Sequence, residues 1–284
     1  MNKSILLSIT LFILSVVFST ANAKDILYPN IDGIGAESIG YSVLELALEK
    51  SGSSFNVVLD KREVNQDRSR RMVEMGQLDV FDTGFQRELE DRFDPIYLPL
   101  DRGILGWRLF IIHKDSRAEL SKVNNISDLQ KFVAGQGNGW GDIVILENAG
   151  LKVKTAAKIP NLIRMVGGKR FDISPLGANE VFTFLEKFRE GNPNLTVDEN
   201  VVLVYPYGRF FFVQKGNTEL AAAITKGMEI ALKDGSLQAM LEQHQFFKDA
   251  FSKANLKNRV RIDIETPNLT EGFKSIDPKW WFTP

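Results

Sequence analysis

Cysteine is absent from this 284-residue chain. That excludes a disulfide framework, a cysteine nucleophile and a lipid-attachment cysteine. Histidine is scarce, with only His113 and His244 present. A Cys/His metal centre is therefore not expected, and nothing in the pattern asks for a cofactor. Neither sign of charge is in excess: 35 Lys and Arg face 36 Asp and Glu, for a net charge of −1. That balance argues against nucleic acid or an anionic membrane surface as the main partner. Long hydrophobic runs are missing as well. The longest, Ile5 to Phe18, is broken by Ser8, Thr10 and Ser15. It falls short of the ~20 residues that a membrane span needs.

That short run has a meaning of its own. Met1-Asn2-Lys3 precedes it as a positive start, and Ala21-Asn22-Ala23 follows it as a small-residue cleavage site. Together they read as a secretory signal peptide over residues 1–23, cut before Lys24. The expected product is a soluble protein exported to a bacterial periplasm, with no membrane insertion after cleavage. Its 261 residues suffice for one large or two modest domains with a full core.

Strand and helix signals alternate from there. Ile26-Leu27-Tyr28 is a short strand, Glu37–Ser51 a helix capped by Gly52, and Phe55–Leu59 a strand. Gln66–Met75 is a helix, Leu78–Phe81 a strand, and Phe93–Tyr97 leads onward. The scheme then repeats. Ser127 is the expected N-cap of a helix, and Phe132-Val133-Ala134 is a strand. A Gly-rich loop, Gly135–Asp142, opens the helix Ile143–Ala149. Pro160–Val166 is a helix, Phe171–Ser174 a strand, Asn179–Glu190 a helix, and Val201–Tyr205 a strand. Such alternation predicts parallel sheets with crossover helices.

Between the two sets lies Arg102–Lys114, apolar for most of its length and interrupted only by Arg108. It reads either as a central strand of one sheet or as a strand crossing from one lobe to a second. Gly208–Gln214 is a matching return crossing, and two crossings would make a hinged cleft. An internal echo supports two related lobes. Arg71-Met72-Val73 precedes Leu78-Asp79-Val80, and Arg164-Met165-Val166 precedes Phe171-Asp172-Ile173 at the same offset. A long helix starts at Asn217 and ends at Asp234-Gly235, and Ser236–Phe246 is another. The tail ends in Trp280-Trp281-Phe282, which is expected to pack on the body.

These features resemble the periplasmic solute-binding proteins of the amino-acid type. Leu78-Asp79-Val80 and Arg170-Phe171-Asp172 are similar to that family's G-x-x-D strands, and Phe93-Asp94-Pro95-Ile96-Tyr97 to its F-S-x-P-Y stretch. Tyr41–Leu44, Ala47–Gly52, Gly103–Arg108 and Gly135-Gln136-Gly137 with Trp140 resemble a transporter-like branch of such binding proteins. The resemblance implies an α/β, two-lobed periplasmic-binding-protein-like (type 2) fold with two crossover strands and a central cleft. Residues 24–107 with 212–246 would form lobe 1, and 108–211 lobe 2 with the hinge strands. Residues 247–284 would be a C-terminal extension. The resemblance also implies a small-molecule ligand, a membrane permease or sensor as partner, and a monomer.

It further implies that an arginine of the first lobe holds the ligand carboxylate, because a guanidinium fork fits a carboxylate. Arg87 stands where that arginine falls. The aspartate that meets an amino group is replaced by Gly177, which leaves Asn179 or Glu180 to serve. Other candidates follow from chemistry. Arg108, alone in an apolar strand, must be paired or face a cavity. The Gly-rich loop, with Gln136, Asn138 and Asp142, precedes a helix whose free N–H groups suit an anion, although a lone G-x-G-x-G is weak evidence. Trp140 can stack as a lid, or simply pack. Trp107, Tyr28 and Thr83 complete the expected cleft set. Arg68 starts a helix near the rim, though Arg68, Arg70 and Arg71 also read as a solvated face. Glu180 can serve the site or merely complement a helix dipole.

Three functions compete. One is a binder that closes on a small polar solute, anionic or zwitterionic. A second is a dehydratase-like enzyme on the same fold, with Glu180 as acid or base. The third is an adaptor reporting ligand state to a membrane partner.

Overall fold

The structure is a computed structural model, and it describes residues 24–31 and 33–284. The expected signal peptide lies outside the described residues. The first half of the chain runs β1 (Lys24–Ile31), α1 (Ile39–Ser51), β2 (Phe55–Val64), α2 (Gln66–Glu74), β3 (Val80–Gly84) and β4 (Phe93–Ile96). A second set follows: β5 (Trp107–His113), α3 (Arg117–Leu120), α4 (Ile126–Leu129), β6 (Val133–Gly137), α5 (Asp142–Asn148), β7 (Lys152–Ala156) and α6 (Ile159–Gly167). It continues with β8 (Ile173–Gly177), α7 (Val181–Lys187), β9 (Leu195–Val197) and β10 (Val201–Val204). The chain then returns through β11 (Arg209–Gln214), α8 (Thr218–Asp234) and α9 (Ser236–Gln243). It ends with α10 (Lys248–Ser252), β12 (Val260–Asp263) and α11 (Glu271–Lys274).

In the first lobe, β1 pairs with β2 in parallel, and β11 lies antiparallel between β3 and β4. Asp79 ties the two groups together. Its carboxylate accepts the Leu27 N–H at 2.7 Å, and its own N–H donates to the Leu27 carbonyl at 3.0 Å. In the second lobe the strand order is β12-β10-β5-β8-β6-β7, with β9 also on β5. There Asp172 repeats the device. Its carboxylate accepts the Val133 N–H at 2.7 Å, and its N–H donates to the Val133 carbonyl at 2.9 Å. The echo seen in the sequence is thus one local structure built twice, a helix end, a turn and an aspartate that locks the next strand to its neighbour.

The Arg102–Lys114 segment divides. Residues 102–106 are a turn, with Arg102 and Gly103 both left-handed at φ 52° and 75°. Only from Trp107 does it become β5, buried between β10 and β8. On the return, Gly208 belongs to the connection and β11 begins at Arg209. The two crossings are therefore the short links between β4 and β5 and between β10 and β11.

Helix ends follow capping chemistry. Ser38 caps α1, which ends at Gly52 in the left-handed region (φ 67°). Asn125, not Ser127, caps α4 by accepting the Asp128 N–H at 3.1 Å, so that helix starts earlier than expected. The Gly-rich loop is also shorter than expected. Gly135, Gln136 and Gly137 are strand residues of β6, and Phe171 explains the first glycine, because a Cβ on Gly135 would lie 2.0 Å from its Cε2. Strands β7 and β9 had no clear sequence signal. Among the described residues, no helix is long and apolar enough to cross a membrane.

Candidate functional site

Arg108 is the second residue of β5, and its guanidinium is buried at the inner edge of the second lobe. A buried guanidinium needs partners, and here the chain supplies them. Its Nη2 pairs with Asp142 Oδ1, and its Nε donates to Tyr205 Oη at 2.8 Å. Glu180 Oε1 lies 3.6 Å from Nη1. The Tyr205 hydroxyl donates to the same Asp142 oxygen, and the rings of Tyr205 and Tyr207 each stand 5.5 Å from the guanidinium carbon. Burial pulls the Arg108 pKa down, but Asp142, Tyr205 and Glu180 outweigh it and hold the group above its ordinary value. Asp142 is the first residue of α5, so the helix start that suited an anion already faces a carboxylate of the chain itself.

The first lobe carries the same trio. The Tyr28 hydroxyl donates to Asp82 Oδ1, and Arg209 pairs with Asp82 Oδ2, its Nε at 2.8 Å. Gly40 makes the room, since a Cβ there would lie 2.0 Å from Asp82 Oδ1. Burial, then the Asp82 charge, pushes the Tyr28 hydroxyl well above its usual range. Each arginine stands within the first two residues of the strand that follows a crossing. The two lobes therefore present matching Tyr–Asp–Arg groups, each neutralised within its own lobe.

Between the lobes lies a cavity of about 410 Å3. Phe85, Gln86, Arg87 and Glu88 line it from the segment after β3; Gly139, Trp140 and Gly141 do so from the turn before α5. Tyr207 reaches it from the return crossing, and Thr266 to Asn268 from the C-terminal extension. Tyr207 fits because glycines face it on both sides. A Cβ on Gly84 would lie 2.5 Å from its hydroxyl oxygen, and one on Gly141 3.1 Å away. The Trp140 ring folds back over Gly137, where a Cβ would lie 2.3 Å from Cε2. A larger cavity, about 500 Å3, lies under the chain end among Arg102, Phe251 and Phe282. Its lining comes from the first lobe and the chain end alone, whereas the interlobe cavity is walled by both lobes and is the better candidate site.

The expected site residues scatter over this geometry. Arg108, Asp142 and Glu180 join one network, and Tyr28 joins the other. Arg87, exposed, and Trp140, half-buried, share the interlobe cavity. Thr83 is buried and meets Arg70 Nη2 at 3.4 Å. Gln136 is buried and donates to the Pro175 carbonyl at 2.8 Å, which leaves its Oε1 without a partner among the described residues. Asn179 is buried with its Oδ1 likewise unpartnered. Arg68 and Asn138 are exposed and line neither cavity. Trp107 packs edge-on against Phe282 at 5.8 Å, under the chain end. Asp82, Arg209, Tyr205 and Tyr207 were not anticipated, and Arg70, expected on a solvated face, is largely buried beside Thr83. Arg209 carried the signal that singled out Arg108, a charge opening an apolar run, Phe210–Val213.

Glu180 accepts the Gly177 N–H at 3.1 Å. Burial pushes its carboxyl above the ordinary value, against the Arg108 charge. A raised carboxyl adds stability below the unfolded value, near pH ~4.3, and loses it as pH rises through the folded value. Relative to Glu180→Gln, the wild type is thus expected to lose stability between pH 4 and pH 7. Denaturation curves of both proteins at the two pH values check the sign, and an opposite trend would show that Arg108 governs the carboxyl.

No protein-family model matches the chain, and no curated sequence matches it. Solved structures do. An ancestral arginine-binding protein bound to arginine gives a TM-score of 0.55 at 16% identity, over 78% of this chain and 98% of that one. An amino acid ABC transporter substrate-binding protein from Streptococcus pneumoniae, bound to L-arginine, gives 0.54 at 15%, over 80% and 95%. A histidine kinase sensor domain with similarity to periplasmic binding proteins gives 0.55 at 12%, over 79% and 97%. At these identities the likeness establishes the fold. With its two lobes, two crossings and intervening cavity, the chain has the type 2 periplasmic-binding fold.

Proposed function

We propose that this chain is an exported solute-binding protein that captures a small polar solute between its lobes and passes it, or news of it, to a membrane permease or sensor. The observation that carries the reading is the interlobe cavity, walled by both lobes and by Tyr207 of the return crossing. Its size falls within the ~300–1,000 Å3 usual for small-molecule sites. Both partner kinds have precedents of this fold, a transporter-binding protein and a kinase sensor domain. The protein acts as a monomer in the periplasm. The lobes expected from the sequence, 24–107 with 212–246 and 108–211, change only at the return boundary, since the whole of β11 pairs with β3 and β4, and 247–284 is the extension. The sheets favour moving the return boundary to the start of β11 at Arg209.

The charged lining is Arg87 and Glu88, one of each sign. This favours a zwitterionic solute over a purely anionic one. Arg108 leaves the ligand argument, because Asp142 and Glu180 already neutralise it. Glu180 is engaged by Arg108 and Gly177 and does not line the cavity, so no reaction is assigned to it.

A thermal-shift screen against polar metabolites, with L-arginine and L-glutamine included, tests the reading. A ligand at 100 times its Kd adds about 2.7 kcal/mol to folding stability. Trp140 fluorescence should change with the hit. Arg87→Ala should weaken binding about tenfold, the loss expected for one charged hydrogen bond, and Trp140→Phe should weaken it while the protein still folds. A hit that binds both variants as tightly as the wild type would place the site elsewhere.

A further inference from the structure

The C-terminal extension touches every part of the opening machinery. From α10 it enters the second lobe, where β12 adds in parallel to β10. At the return crossing the Thr266 hydroxyl donates to the Pro206 carbonyl at 2.7 Å, and Thr266 to Asn268 wall the interlobe cavity. The chain then passes to the first lobe. Thr270 Oγ1 meets Tyr97 Oη at 3.1 Å, and the Phe273 ring packs 4.7 Å from Phe85 and 5.6 Å from Phe210. Finally it lies over both crossings. A Cβ on Gly103 would lie 2.2 Å from Trp281 Cε3, and one on Gly208 3.2 Å from Trp281 Cζ3. One indole therefore occupies the space beside both links at once. The Phe282 N–H donates to the Arg102 carbonyl at 2.7 Å, and Arg102 Nη2 donates to the Trp281 carbonyl at 3.3 Å. Arg102 is held in the left-handed region (φ 52°) that a non-glycine residue rarely keeps without such support.

When two lobes part, a few residues of the links must absorb the change in φ and ψ. Here those residues lie under Trp281. We propose that the C-terminal extension is a strap that sets how far the lobes open. Trp281 is the wedge that must leave the crossings before they move, and the 266–268 loop ties that movement to the cavity. The proposal rests on the lobe opening of the proposed function, though not on any particular ligand.

The test uses the full chain without ligand. In Trp281→Ala, amide exchange over 98–106 and 205–208 should quicken about tenfold or more while β8 keeps its protection, as a local rather than a global opening requires. The radius of gyration from scattering should rise. Trp280→Ala is the control, because its ring lies beneath the Lys279 ammonium and is not among the nearest neighbours of either glycine; it should leave the crossings unchanged. Should Trp281→Ala fail to fold, Trp281→Phe removes Cε3 and Cζ3 while keeping a ring, and the same quickening is expected. Unchanged exchange at the crossings, or equal quickening in Trp280→Ala, overturns the strap. A ligand screen without hits would count against the proposed function and leave this result standing.

Discussion

Arg108→Met is expected to lower the free energy of unfolding by about 3–5 kcal/mol, the cost of breaking a buried ion pair from one side. Methionine replaces the stem, but Asp142 and the Tyr205 hydroxyl then lose their cationic partner inside the protein. Asp142→Asn should cost less, about 1–3 kcal/mol, because Glu180 remains 3.6 Å from the guanidinium. The double variant Arg108→Met/Asp142→Leu should recover part of the loss, since apolar replacement of a buried pair is often near neutral, while the Tyr205 hydroxyl stays without either partner. Guanidinium denaturation of wild type, Arg108→Met, Asp142→Leu and the double variant gives the coupling. A loss below about 1 kcal/mol for Arg108→Met would mean that the arginine is not neutralised within its lobe, and a ligand role would return.

The second large effect lies away from the cavity, where α1 and α8 cross. A Cβ on Gly227 would lie 1.7 Å from the Ala47 carbonyl oxygen and 2.4 Å from its carbon. The obstacle is backbone, so no rotamer change relieves it. Gly227→Ala should therefore destabilise by about 3 kcal/mol, the upper end of overpacking costs. Gly191→Ala is the contrast. Nothing lies within 4 Å of its Cβ position, so it should be neutral or stabilise by about 0.4–1 kcal/mol through the unfolded chain. Thermal melting of the two variants separates them; equal behaviour would show that the helices can slide apart at no cost.

Much of the fold was legible because its signals are local. The Asp79 and Asp172 repeats, the cap at Gly52 and the apolar run of β5 each follow from a few neighbouring residues. The links were less legible, because the ring that leaves Gly103 no room for a side chain belongs to Trp281, far along the chain. Gly135 and Gly137 looked like an anion loop because the sequence shows glycines but not the Phe171 and Trp140 rings that require them. The site was read in part. The isolated charge of Arg108 correctly marked a place needing compensation, yet its compensators, Asp142 and Tyr205, lie 34 and 97 positions away. No spacing rule links them, so a buried internal pair and a ligand-binding arginine look alike in sequence.

The matched trios have a consequence for motion. Asp82 is satisfied by Tyr28 and Arg209, and Asp142 by Tyr205 and Arg108, each wholly on its own side. Among the described residues, no ion pair joins lobe 1 to lobe 2. Each half carries its own counter-ions, so the proposed opening tears no opposite charges apart. The work of the proposed opening is then the wetting of Phe85, Trp140, Tyr207 and Trp281 and the breaking of hydrogen bonds at the links, such as that from the Phe282 N–H to the Arg102 carbonyl. Apolar wetting of that kind responds to temperature, whereas dissolved salt screens charges that here never separate.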